Sequence, residues 1–234
     1  MIPAIRSSVA VGRSWVSYRL ILPALLLTTL LCCESPVTRS GYTEEEIDYF
    51  LEIALGTEYG DVQPVIRKWR QGLKIKLMGT PSETDMKTLD DVLKELNGII
   101  DGVSLWEVEG QPNVEIHFLP EEEFSQIEPN YVPLNYGFFW VQWNGDGELT
   151  FTRILIATDE LITQTVRSHL LREELTQSLG LMRDSNRYRD SIFYQGFTNT
   201  TSYSEIDKVV IEILYLDEIR TNMTEAEVRQ VLSG

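Results

Sequence analysis

The first 33 residues follow different rules from the rest of the chain, and that division limits what can fold. Arg6, Arg13 and Arg19 are the only charges before Glu34, and all three are positive. An apolar run, LILPALLLTTLLCC, then fills residues 20–33. Spanning a bilayer takes about 20 apolar residues, so this run is short for a span. A basic stretch followed by about 7–15 apolar residues is the pattern of a secretory signal. Residues 1–33 are therefore set aside as a leader, residues 34–42 as a tether (SPVTRSG at 35–41), and the core has to come from one domain over residues 43–234.

The apolar run ends in Cys32-Cys33, which resembles a bacterial lipoprotein signal. In that resemblance the cysteine becomes the first mature residue and carries the lipid, with a small residue just before it. Cys33, preceded by Leu30-Leu31-Cys32, is the expected lipidation site; a plain cleaved signal and an uncleaved anchor are the alternatives. The expectation is an exported, membrane-anchored lipoprotein of the bacterial cell envelope, facing the periplasm or the cell surface.

Charge narrows the partners. The chain carries a formal −16; beyond the leader, 17 basic residues face 36 acidic ones, a net −19. Such a surface cannot neutralise a row of phosphates, which excludes nucleic acid. It is also repelled by anionic headgroups, so membrane attachment has to come from the lipid anchor alone. Both cysteines lie in the leader, which leaves no disulfide framework. His117 and His169 are the only histidines, too few for a three-histidine zinc site.

Capping and periodicity outline the domain. Thr43 with Glu46, Ser204 with Asp207, and Thr224 with Glu227 have capping-box spacing ahead of apolar helical stripes. Thr80-Pro81-Ser82 opens another helix, with Gly98 as its expected stop. Leu73 to Leu77 alternates as a strand, and the basic residues around it (Arg67, Lys68, Arg70, Lys74, Lys76) read as an exposed strand or sheet edge. Val103–Val108 with Val114–Leu119, and Tyr136–Trp143 with Leu149–Ala157, read as two hairpins. A long helix is expected from about Asp159 to Leu179, ending at Gly180, followed by a polar loop over Arg183–Ser202. The fold class is α+β, with a twisted mixed sheet, a long central helix and C-terminal helices.

That helix carries E-E-L-T-Q-S-L-G-L over Glu173–Leu181, then Met182-Arg183-Asp184. The frame resembles the metzincin metalloproteases, whose helix reads H-E-x-x-H-x-x-G-x-x-H. Glu174 matches the catalytic base and Gly180 the turn glycine, while Glu173, Gln177 and Arg183 stand where the three histidine ligands would be. The resemblance extends over about residues 65–220 and implies a zincin-like core. A closer resemblance is to an uncharacterised bacterial family of exported proteins, a domain of unknown function. It rests on the same E-E-L-T-Q-x-L-G-L, on Asp184-Ser185, on Ser191-Ile192-Phe193, and on Leu214-Tyr215 with Met223-Thr224. That resemblance implies no activity.

At about 100° per residue, Glu173, Glu174 and Gln177 continue the apolar face of the helix. Polar groups there have to be hydrogen-bonded or face a wet cleft. The candidate cleft is thus Glu173, Glu174, Gln177, Gly180 and Asp184, read either as a structural network tying the helix to the Arg183–Ser202 loop or as a binding cleft. His169 is expected near the solvent side and His117 at a surface or strand edge. No cofactor is expected; zinc on His169, Glu173 and Gln177 is the alternative. The leading function is a degenerate, non-catalytic metalloprotease-like site in an envelope protein that binds a peptide or protein partner. The alternative is a hydrolase using Glu174 as general base, with or without an atypical metal site. A third reading, an oligomerising scaffold, rests on Phe138-Phe139-Trp140 and Trp143, which also alternate well enough to be core.

Overall fold

The computed structural model describes residues 41–56 and 63–233. The leader, Cys33 and the tether as far as residue 40 lie outside the described residues. Elements follow in the order α1 (Glu44–Ala54), β1 (Lys68–Trp69), β2 (Leu73–Gly79), α2 (Glu83–Ile99), β3 (Leu105–Glu107) and β4 (Val114–Leu119). A 3-10 turn (Glu121–Glu123) and α3 (Phe124–Ile127) lead to β5 (Gly137–Trp143), β6 (Glu148–Ala157), α4 (Gln164–Gln177), α5 (Glu205–Tyr215) and α6 (Glu225–Ser233). Among the described residues, no helix is long and apolar enough to cross a membrane.

The helices start where side chains can satisfy their first amide groups. Thr43, Ser82 and Ser204 each cap a helix and receive a reciprocal bond from Glu46, Asp85 and Asp207. The six strands form one mixed sheet. β4 lies between β2 and β6, β3 flanks β2, β1 pairs with the start of β6, and all of these pairs are parallel. Only β5, joined to β6 by a tight turn, runs antiparallel. Alternation along the central strands divides the interior. Ile116, Phe118, Ile154 and Ile156 join the main core, which includes Leu171 and Leu175 of α4. Leu119, Leu155 and Ala157 join Phe124, Phe138 and Ile162 in a smaller second cluster.

Several sequence expectations change. β3 and β4 do not form a hairpin: they lie on opposite sides of β2, both parallel to it. Asn113 fixes the crossing, accepting from Lys74 N at 2.6 Å and donating to Gly72 O at 2.9 Å. β2 is therefore internal rather than an edge, although Lys74 does face solvent. Lys68, read as part of an exposed basic strand, is buried; its Nζ donates to Leu214 O (2.9 Å) and Leu216 O (3.1 Å) at the end of α5. His117 is mostly buried in the central strand β4 and bonded to Glu115, not at an edge. α2 runs through Gly98 to Ile99. Of the aromatic run, Phe138 is buried, Phe139 and Trp140 are half-buried and Trp143 is exposed. α4 is shorter than expected: Thr163 is its N-cap, and residues 159–162 form a separate turn closed by Ile162 N donating to Asp159 O.

Candidate functional site

α4 is an unusual buried helix because few of its inward positions are apolar. Ser168, His169, Arg172, Glu174, Thr176 and Gln177 are all buried, alongside Leu171 and Leu175. Buried polar groups need partners, and most find them outside the helix. Arg172 makes a two-pronged ion pair with Glu95 of α2 (2.6 and 3.1 Å) and lies over the Tyr203 ring. Thr176 shares a 2.7 Å bond with the Tyr203 hydroxyl. Gln177 donates to Asp184 Oδ1 at 2.6 Å. Around the helix end, Trp69 Nε1 donates to Ser178 O and the Tyr215 hydroxyl to Leu179 O, which satisfies carbonyls the helix leaves open.

Gly180 then turns the chain with φ +121°. A Cβ there would collide with the carbonyl oxygen of Arg67, so the position requires glycine both for its backbone conformation and for the close approach.

His169 is not on a solvent face. It is buried, with Nδ1 2.7 Å from Thr200 O and Nε2 3.3 Å from Glu173 Oε2. Thr200 O can only accept, so Nδ1 carries a proton, and the Glu173 carboxylate beside Nε2 favours the protonated ring. Burial opposes that charge, but the hydrogen bond and negative charge of Glu173, with Thr200 O, outweigh it and raise the pKa above the ordinary histidine value.

Of the expected cleft residues, Gln177 meets Asp184, while Glu173 faces His169 and Glu174 faces β5. Glu174 lies against β5: a Cβ on Gly137 would collide with its Oε1 and crowd Leu170. Gly137 was not singled out from the sequence; a glycine opening an aromatic strand was the available signal. Arg183 does not occupy a ligand position. Its side chain lies against Gly56 at the end of α1, and it is Asp184 that reaches Gln177.

These residues do not fit a zinc ion. A metal-binding histidine offers a nitrogen lone pair; Nδ1 of His169 is spent on Thr200 O, and Glu173 beside Nε2 favours the protonated ring over a free lone pair. Gln177 offers only a neutral amide oxygen, a weak ligand for zinc, and Arg183 is a cation pointing elsewhere. Among the described residues, no group of three or more His, Cys, Asp or Glu side chains is gathered as a metal site. The arrangement fastens α4 to α2, to the 184–203 loop and to β5.

Comparison with known proteins adds two findings. Two solved structures of myroilysin are similar to this chain at 13% identity, with TM-scores of 0.40 and 0.43; each similarity covers 63% of this chain, and 95% and 85% of those chains. No curated protein matches it. Residues 43–234 match the family described as "Protein of unknown function (DUF2927)", and the chain belongs to that family.

Proposed function

We propose that this is an exported, lipid-anchored protein of the cell envelope that binds an extended protein segment on the α4–β5 side of its domain without cleaving it. The observation that carries the reading is a juxtaposition. The polar side chains of α4 end in hydrogen bonds inside the fold, while β5 beside them has no strand partner on its outer edge among the described residues. An edge strand offers unpaired amides and carbonyls to an incoming chain. β5 reads GFFWVQW, with none of the charged side chains that blunt such edges. A bulge between Gln142 and Trp143 interrupts pairing only at its far end.

Cleavage has less support. Hydrolysis through a zinc-activated water needs ligands that the His169–Glu173–Gln177 set does not supply. Export and anchoring rest on the basic and apolar leader ending at Cys33.

Two experiments test the reading. Amide hydrogen exchange of the full chain, with and without an excess of unstructured seven- to nine-residue synthetic peptides, should show new protection confined to β5, with the peptides recovered intact. Cleaved peptides, or no protection at β5, would overturn the binding role. Palmitate should label the wild type and not Cys33→Ser; a free mature N-terminus away from Cys33 would overturn the anchor.

A further inference from the structure

We infer that the 131–136 turn and the N-terminal end of α4 together dock a protein segment that is both cationic and apolar, with Leu134 and Leu161 as the contacting side chains. The inference rests on the binding role proposed above and specifies its partner's chemistry.

Leu134 is the first observation. It is 83% exposed and has φ +74°, a left-handed conformation that disfavours a bulky side chain. The turn that imposes it is well fastened. Leu134 N donates to Glu121 Oε1 at 3.2 Å; the Tyr131 hydroxyl donates to the same oxygen, and Asn135 Nδ2 donates to Val132 O at 2.9 Å. A glycine or asparagine would suit the backbone better, and a polar residue would suit the water. The chain instead holds a leucine outward on a rigid base. Strain of this kind, kept by its surroundings, points to a binding role.

Leu161 is the second observation. It is 89% exposed in the turn before α4. The same scaffold supports both leucines: Glu121, which accepts from Leu134 N, donates its own N–H to Asp159 Oδ2 at 2.9 Å, and Asp159 O accepts from Ile162 N at 2.9 Å. Ile162, two partly buried side chains of α4 (Val166 and Leu170) and two of the turn (Tyr131 and Val132) share one apolar cluster. Leu170 also abuts Gly137, so the apolar surface continues to the start of β5 and to Glu174.

Charge selects among possible occupants. Glu122, Glu123 and Glu160 are exposed around the leucines, on a chain of net charge −16. An anionic lipid surface and a second copy of this chain are both repelled there, whereas a cationic segment is attracted and can place apolar side chains on Leu134 and Leu161.

The test uses the full chain with two synthetic peptides, Lys-Leu-Lys-Leu-Lys-Leu-Lys and Glu-Leu-Glu-Leu-Glu-Leu-Glu, and calorimetric titration. The lysine peptide should bind and the glutamate peptide should not. Affinity for the lysine peptide should fall at least tenfold in L134G and further in L134G/L161S, and stay within twofold in W106S, which removes an exposed apolar side chain on β3 at the other edge of the sheet. L134G should unfold at the same or a higher temperature than the wild type, since glycine relieves the left-handed strain; this separates lost contact from lost fold. Equal binding of the glutamate peptide, or unchanged affinity in L134G/L161S, would overturn the inference. So would leucine-dependent binding to phosphatidylglycerol–phosphatidylcholine vesicles, or leucine-dependent self-association in sedimentation. If the lysine peptide protects β5 amides but ignores both leucines, the binding role stands and this inference falls. If no peptide binds, both fall.

Discussion

Between Leu161 and Gln177 the chain passes from apolar side chains left in water to polar side chains sealed inside the protein. At the N-terminal end of α4, Leu161 is exposed and Val166 and Leu170 only partly covered. From His169 to Gln177, an imidazole, a guanidinium, a carboxylate, a hydroxyl and an amide are buried. Ordinary folding economy would place these groups the other way round. The polar half tolerates its burial because its side chains reach fixed partners on α2, the 184–203 loop and Tyr203. The apolar half has no such compensation within the described residues. The half that resembles a catalytic motif is thus built as a fastener, and the half with no motif is the one we propose for contact.

The largest effect should come from breaking the end of the polar half. Gly180→Val puts a β-branched side chain at φ +121° and against the Arg67 carbonyl. It should destabilise the domain by about 3 kcal/mol or more, from backbone strain and overpacking together. A chemical denaturation midpoint close to wild type would show that the chain does not need this turn.

Arg172→Ala comes next. Arg172 is 2% exposed, paired with Glu95 and stacked over Tyr203, and its loss removes the Glu95 ion pair and uncovers the Tyr203 ring. A cost of about 2–4 kcal/mol is expected, tempered by the partial exposure of Glu95. The same denaturation series measures it; a change under about 0.5 kcal/mol would mean that the ion pair holds nothing.

A pH effect should follow from His169. Its folded pKa is raised by Glu173 and Thr200 against burial, so the imidazolium contributes stability below the unfolded pKa of about 6.5. That contribution is lost as pH rises through the higher folded value. Stability measured from pH 6 upward should decline over this window in the wild type and stay flat in His169→Gln. Lys68 gives the opposite sign at higher pH. Burial, then Arg70, lower its pKa to about 8 despite Asp217 and Glu218. Stability should therefore rise between about 8 and 10.5, where the unfolded chain binds the extra proton.

The smallest effect belongs to the apolar half. Leu161→Ser should change stability by less than about 0.5 kcal/mol, because the side chain is almost entirely in water. A larger loss would mean that Leu161 is part of the fold rather than a contact surface.

Local chemistry was legible in the sequence, and long-range pairing was not. Thr43 with Glu46 and Ser204 with Asp207 cap their helices as their spacing implied. Gly180 turns the chain with positive φ, as a glycine after a polar-rich helix suggested. What failed depended on distant partners. Lys68 looked like a surface cation because the carbonyls that bury it lie about 146 residues on, at the end of α5. His169 looked solvent-facing because Thr200, its acceptor, arrives on a loop 31 residues away. The β3–β4 connection is short enough to pass for a hairpin, and only the Asn113 bonds to the opposite side of β2 explain why it is not. Within the candidate site, the metzincin frame put Arg183 at the third ligand position, while the cleft read from the sequence already included Gln177 and Asp184. Asp184, not Arg183, turns toward the helix.

The Gln177–Asp184 contact sets the most direct measurement, zinc stoichiometry and affinity of the full chain beside the variant E173H/Q177H/D184H. Positions 173 and 177 are one helical turn apart and share a face, and the side chain at 184 already meets Gln177 at 2.6 Å. The variant should therefore bind zinc measurably, whereas the native chain, with His169 engaged by Thr200 and Glu173 and with Gln177 offering only a neutral amide, should bind none stoichiometrically. One zinc per native chain, held as tightly as in the variant, would contradict the reading of α4 as a fastener.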